Sequence, residues 1–272
     1  MRTAIAGVVL LASLRALGQN DSSHKSAEYP SAMIREEQTV VVDGAREKWR
    51  LQWAEKPKLY CGADEGDISL TCPCMGFAYG EVGDLYVVRL RAGVEVDRLR
   101  LTPLFGEQPS AVVQRWAADD DQDFKLSQRD DFESTVAKRP TVQVMNFADY
   151  DHDGKETEFY LQTEALPCGK SFGVVIGLST YNPRLHVFGT VSNPEKPLYL
   201  QKRECEALRD ASSAPITVLD WACYDHAAPN ETDLELRWSP QGIDGVRREY
   251  SCPSKGETGG LLSEIPLGQI AR

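Results

Sequence analysis

Asp149, Asp151 and Asp153 stand at every second position of MNFADYDHDGKETEFYLQ (145–162), and Gly154 follows them at once. Carboxylates so spaced in a tight loop turn their oxygens toward one centre, and a glycine in the sixth place lets the backbone bend with φ > 0. Hard oxygens at places one, three and five, with the backbone carbonyl of Lys155 at place seven, form the front half of a cage for a cation that takes six to eight oxygens. The ion suited to that set is calcium. The bland alternative is a solvated acidic turn that binds nothing. Three such carboxylates repel by roughly 0.7 kcal/mol per pair at ~6 Å even in water, so a turn without an ion has little reason to carry them.

The back half of the loop departs from an EF-hand, whose twelfth place holds a bidentate Glu and whose flanks are helices. Here the twelfth place is Tyr160. Thr141 to Phe147 is a β-rich run, and Glu158 to Gln162 alternates, with Phe159 and Leu161 on one face. The loop is therefore expected to join two strands. A strand, Asp-x-Asp-x-Asp-Gly, one or two acids and a second strand together resemble the single-repeat signature of the FG-GAP/VCBS family, the calcium loops of integrin-like β-propellers. The resemblance covers about Val144 to Leu161. That family commonly places its closing acid at position nine, which is Thr157 here, so Glu156 or Glu158 is left to close the shell. Glu158 is preferred because it sits at the mouth of the outgoing strand. The expected ligand set is Asp149, Asp151, Asp153, the carbonyl of Lys155 and Glu158. The resemblance implies adhesion or cell-surface interaction, with an unknown protein or a surface glycan as partner.

The elements around the loop read as antiparallel hairpins. Thr39 to Val42, the turn Asp43-Gly44 and the alternating Trp49, Leu51 and Trp53 make one hairpin with a buried face. Leu85 to Arg91, Ala92-Gly93 and Val94 to Leu101 make a second, and Ser110 to Trp116 reads as a further strand. The run FGVVIGL (172–178) is apolar throughout and of strand length, which predicts burial on both faces. Short strands are expected at Leu185 to Phe188, Leu198 to Leu200, Ile216 to Trp221, Leu234 to Trp238 and Arg247 to Tyr250. Helices are expected near Phe132 to Val136 and over Lys202 to Ala211. The fold class is all-β with one or two short helices, arranged as propeller-like blades or as a β-sandwich. An acid followed by a strand recurs at Asp84, Glu158 and Asp233, a spacing compatible with repeated four-stranded sheets.

A net charge of -11 excludes a nucleic-acid or anionic-lipid surface. Arg2, the apolar run Ala4 to Leu14 and Ala16-Leu17-Gly18 form a secretory signal over residues 1 to 18, which predicts a secreted, periplasmic or cell-surface protein without a transmembrane segment once processed. Residues 19 to 36 are expected to be disordered, 37 to 255 to form the all-β domain, and the glycine-rich 256 to 272 to be a loose tail. Seven cysteines in an exported chain are read as disulfides with one left over. Cys223 with Cys252 and Cys168 with Cys205 are the expected pairs, and Cys72 and Cys74 are placed structurally with Cys61 rather than in a redox or copper site. The acidic run Asp119 to Asp123 lacks a glycine turn and reads as a solvated loop. Gly177-Leu178-Ser179 is half of a nucleophile elbow, completed by neither a glycine at Tyr181 nor a following helix. His152, His186 and His226 fit no catalytic or zinc spacing, and His152 lies inside the loop at a position whose side chain is expected to point outward. A carboxylate-based, glycosidase-like hydrolase and a structural envelope role remain the alternatives to a binding protein.

Overall fold

A computed structural model of the chain describes residues 33–60, 80–106, 109–116, 134–135, 137–165, 170–225, 228–253 and 259–270. The signal segment, the Cys61, Cys72 and Cys74 cluster, the acidic run, Cys168 and His226 lie outside the described residues, and of the helix expected between Phe132 and Val136 only Ser134 and Thr135 are described, both helical.

The chain is all-β, with four antiparallel sheets and one α-helix among the described residues. Strands β1 (Ile34–Val42) and β2 (Ala45–Trp53) turn at Asp43 and Gly44, with φ of 49° and 77°. A two-residue turn with both residues left-handed matches the right-handed twist of the strands it joins. Ala92 and Gly93, with φ of 50° and 81°, do the same between β5 (Leu85–Arg91) and β6 (Val94–Arg100). These four strands form one sheet in the order β1-β2-β5-β6, while β3 (Lys58–Tyr60), β4 (Gly80–Gly83) and β7 (Ala111–Gln114) form a smaller one.

The middle sheet is built on β9 (Ser171–Gly177). One of its edges carries β8 (Phe159–Ala165), and the other carries β10 (His186–Val187) and β11 (Leu200–Gln201). Helix α1 (Lys202–Asp210) follows, opened by a capping box in which Gln201 and Glu204 satisfy each other's backbone N–H groups. The C-terminal sheet runs β12 (Ile216–Trp221), β13 (Asn230–Ser239), β14 (Gly242–Ser251) and β15 (Leu261–Pro266) in sequence order.

Burial of β9 on both faces, read from its unbroken apolar run, is what the structure has. Val174 and Ile176 join the core that contains Trp49, Leu51 and Leu85 of the N-terminal sheet. Val175, between them, joins a second core with Leu208 of α1 and Leu234 and Leu236 of β13. The middle sheet is thus packed on two sides, and the arrangement is sandwich-like with no closed barrel. The strands that follow Asp84, Glu158 and Asp233 are not equivalent: β5 and β13 are interior strands, whereas β8 is an edge.

Four expectations are corrected. Residues 34–36, expected to be disordered, open β1, where Arg35 is buried. Thr141 to Phe147 is extended but forms no strand; its only bridge is Thr141 to Trp116. Its backbone is satisfied instead by side chains of β1. Glu36 accepts from Val144 and Met145 N–H, Gln38 donates to the Met145 carbonyl and Arg35 to that of Val142. The glycine-rich tail is not loose: it contributes β15, and Leu267 just beyond it is buried in the second core. Leu261 and Leu262 are adjacent and equally exposed, which removes the alternation by which a strand is recognised. Cys205 is unpaired and buried, stacked with Leu208 on the inward stripe of α1, where a thiol packs as a small hydrophobe.

Cys223 and Cys252 are joined, with Cα atoms 5.4 Å apart and a separation of 29 positions in sequence. The bond ties the segment after β12 to the end of β14. Replacing both by Ser is expected to lower stability by about 3 kcal/mol, since the cross-link no longer restricts the unfolded chain. A denaturant midpoint unchanged from that of the oxidised protein would show that the bond adds nothing.

Candidate metal centre

The loop is fixed at both ends. Ala148 and Glu158 pair as an antiparallel bridge, with Ala148 N–H to the Glu158 carbonyl at 2.8 Å, so the chain enters and leaves at one point. Inside, Asp149 accepts from Asp153 N–H (3.0 Å) and Gly154 N–H (2.9 Å), and Asp151 accepts from Asp153 N–H at 3.1 Å. These bonds fold the acidic side chains inward over their own backbone. Gly154 has φ 87° and His152 φ 56°, so two residues of the loop are left-handed.

The structure brings Asp149, Asp151 and Glu158 together: each offers a carboxylate oxygen, and the three lie within 4.8 Å of one another. Asp151 is 2% exposed and Glu158 is fully buried. Asp153 stands outside this group, one oxygen accepting from Lys155 N–H at 2.9 Å. Glu156 is exposed and lines a separate polar groove beside the β1–β2 turn. Of the two acids that sequence left to close the shell, Glu158 is therefore the one at the cluster. Lys155 pairs its ammonium with Asp43 at 2.9 Å, which tethers the loop to that turn.

Electrostatics single out the cluster. Burial, and then the neighbouring Asp153 carboxylate, push the Asp151 carboxyl up to about 7. Burial pushes Glu158 up to about 8, with Asp151 adding to it, against the opposing bonds from the Thr157 hydroxyl and Tyr150 N–H. Such shifts describe carboxylates folded without a compensating positive charge. Two buried oxygens, Asp151 Oδ2 and Asp153 Oδ2, have no hydrogen-bond partner among the described residues. Buried polar atoms are nearly always satisfied, and oxygens left open beside a converging set of acids are what a cation uses.

Three supporting residues escaped sequence reasoning. Thr157 donates its hydroxyl to Glu158 Oε1 at 2.6 Å, and Tyr150 N–H donates to Oε2 at 3.0 Å, together fixing the carboxylate. Gly177 of β9 lies against Glu158, where an added Cβ would come within 2.7 Å of its Cα. Only a residue without a side chain fits there. His152, expected to point away from the protein, reaches instead to the C-terminal half. Its Nε2 lies 2.8 Å from the Leu208 carbonyl at the end of α1, and its ring stacks on Trp238 with centroids 4.0 Å apart.

The other candidates have structural roles. The Ser179 hydroxyl accepts from Asn182 N–H at 2.9 Å, closing a turn. His186 stacks on Phe188 and sits 2.9 Å from the Arg184 carbonyl. No helix among the described residues is long and apolar enough to cross a membrane.

Fold and site together define an all-β protein with a buried acidic loop at the margin of its middle sheet. Comparisons with protein-family models, with curated proteins and with solved structures find no match.

Proposed function

We propose that this is an exported β-rich interaction protein whose loop at 149–158 holds one calcium ion. The observation that carries the reading is the buried cluster of Asp149, Asp151 and Glu158 with open oxygens on Asp151 and Asp153. Donors that are all carboxylate oxygen suit a hard cation and exclude the soft metals that prefer sulfur or imidazole. The Asp-x-Asp-x-Asp-Gly spacing, with its likeness to FG-GAP/VCBS loops, favours calcium over magnesium, which keeps most of its waters. Asp153 and the Lys155 carbonyl complete the shell. The ion stabilises the fold, and the partner is a protein or a surface glycan met by the loops. A hydrolase reading is less well supported, because the buried acids of the main cleft are occupied: Glu204 caps α1, and Asp220 is surrounded by cations.

Calorimetric titration of the chelated protein with calcium, and separately with magnesium, tests this. Extracellular modules typically bind calcium at about 10⁻⁴ to 10⁻³ M. At ten times the dissociation constant, binding adds about 1.4 kcal/mol, which for a domain of this size raises the melting temperature by about 3–6 °C. No heat and no thermal shift at several millimolar calcium would falsify the ion site.

A further inference from the structure

A well-formed apolar cavity lies away from the acidic loop. It is a cleft of about 550 Å³ between β11, the start of α1 and the C-terminal sheet. Its walls are mainly apolar and include Phe172, Leu198, Trp221, Leu234, Leu267 and Ile270. A mostly apolar cleft of this volume with a few convergent polar groups has the usual form of a small-molecule site.

The polar groups decide what kind of molecule. Three acids reach the cleft, and all are engaged. Glu204 accepts from Gln201 N–H in the capping box at 2.7 Å, and Glu164 has a partner within the protein. Asp220 takes a bond from Gln201 Nε2 and lies within 4.0 Å of Lys170, Arg203 and Arg247. Asp220 is thus compensated by three cations, Lys170, Arg203 and Arg247. Two cations line the cleft itself. Arg247 is 39% exposed at its side chain and has one charged contact, to Asp220 Oδ2 at 3.1 Å, while its guanidinium makes no hydrogen bond among the described residues. Lys196, at the exposed rim, has no ion-pair partner among the described residues. The acids are thus engaged within the protein, and Arg247, paired with Asp220 through one nitrogen, lines an apolar chamber with guanidinium donors that make no hydrogen bond among the described residues.

We infer that this cleft binds a small organic anion with an extended apolar body, its carboxylate at Arg247 and its hydrocarbon against Leu198, Leu234 and Ile270. The site is independent of the calcium loop, none of whose acids lines it. Planar guanidinium donors fit a carboxylate in two-bond geometry, and the walls supply the apolar contact. Lys196 adds attraction at the entrance.

The test is titration of the full chain, by calorimetry and tryptophan fluorescence, with decanoate, decanol and decyltrimethylammonium, each with and without chelator. Decanoate is expected to bind in both conditions and more tightly than decanol, and the ammonium compound to bind most weakly. Lengthening the acid from octanoate should tighten binding by about fourfold per buried methylene until the chamber is full. Arg247→Gln leaves Asp220 with Lys170, Arg203 and Gln201. It should weaken decanoate about tenfold to a hundredfold and leave decanol unchanged. Lys196→Gln, at an exposed position, should weaken decanoate by a few-fold and serves where the Arg247 variant folds poorly. Decanoate that fails to saturate at millimolar concentration, or an ammonium analogue that binds as tightly, overturns the proposal.

Discussion

Replacing Glu158 by Gln is expected to abolish the response to calcium while making the calcium-free protein more stable. The substitution keeps shape, and the amide oxygen can still accept from Thr157 or Tyr150, the two donors that hold the carboxylate. It removes one of three acidic groups gathered within 4.8 Å. At an effective dielectric of 20, charges at that distance repel by roughly 3.5 kcal/mol per pair. Partial protonation relieves much of this in the wild type, so the gain for the variant in chelator is about 1 kcal/mol, the scale reached when a functional residue is replaced by one suited only to the fold. Loss of an outer-shell partner commonly weakens metal binding about 10- to 100-fold, and loss of a ligand should exceed that. Thermal melting in chelator and in millimolar calcium reads both effects. A variant that still shifts with calcium, or melts below the wild type in chelator, removes Glu158 from the shell.

Glu47→Gln should cost about 3–5 kcal/mol, the range for breaking a buried ion pair by removing one partner. Glu47 accepts from Arg89 at 2.9 and 3.1 Å and from Arg91 at 2.6 and 2.9 Å, and its side chain is wholly buried. Arg89, itself buried, would keep among the described residues Asp97 at 3.6 Å, the Pro183 carbonyl and the face of Trp49. Replacing Glu47 and Arg89 together by apolar residues of similar volume should recover most of the loss, since the pair's attraction only offsets its own desolvation. The pH dependence follows from the sign of the shift. Burial opposes the charged form, but the bonds from Arg89 and Arg91 prevail and hold the Glu47 carboxyl below its ordinary range. A depressed folded pKa gives stability that is present above the unfolded carboxylate value and lost as pH falls through the folded one. Denaturation followed from pH 7 downward should therefore show a component in the wild type that the Gln variant lacks. Identical acid profiles would argue that the pair adds nothing.

Local signals in the sequence proved the readable ones. Asp43-Gly44 and Ala92-Gly93 identify their hairpins because left-handed backbone is a property of two adjacent residues. The unbroken run of β9 reports burial on both faces for a similar reason: it needs no knowledge of what lies on either side. The acidic loop is legible because its donors come from ten consecutive residues. What could not be read depends on convergence from far along the chain. Thr141 to Phe147 looks like a strand but is held by Arg35, Glu36 and Gln38, more than a hundred residues earlier. The cleft around Arg247 draws on β11, α1, β12 and β14, none of which carries a mark of its own. His152 was misplaced because a loop position faces outward only if nothing is packed against the loop, and here α1 and Trp238 are.

The middle sheet has a consequence for how long the protein lasts. Because β9 gives Val174 and Ile176 to one core and Val175 to the other, neither half can open without stripping a face of the wall they share, and a chain cut between them would leave apolar strand exposed on both pieces. The acidic loop lies at the edge of that wall. Met145 before it belongs to one core and Tyr150 within it to the other, while His152 rests on the end of α1. On the reading proposed here, loss of the ion loosens the seam that both cores have in common, and local opening at such a seam is what exposes backbone to proteases. If the ion is calcium and the protein is exported, as proposed, the calcium content of the surrounding fluid would set its lifetime, long where calcium is plentiful and short where it is scarce.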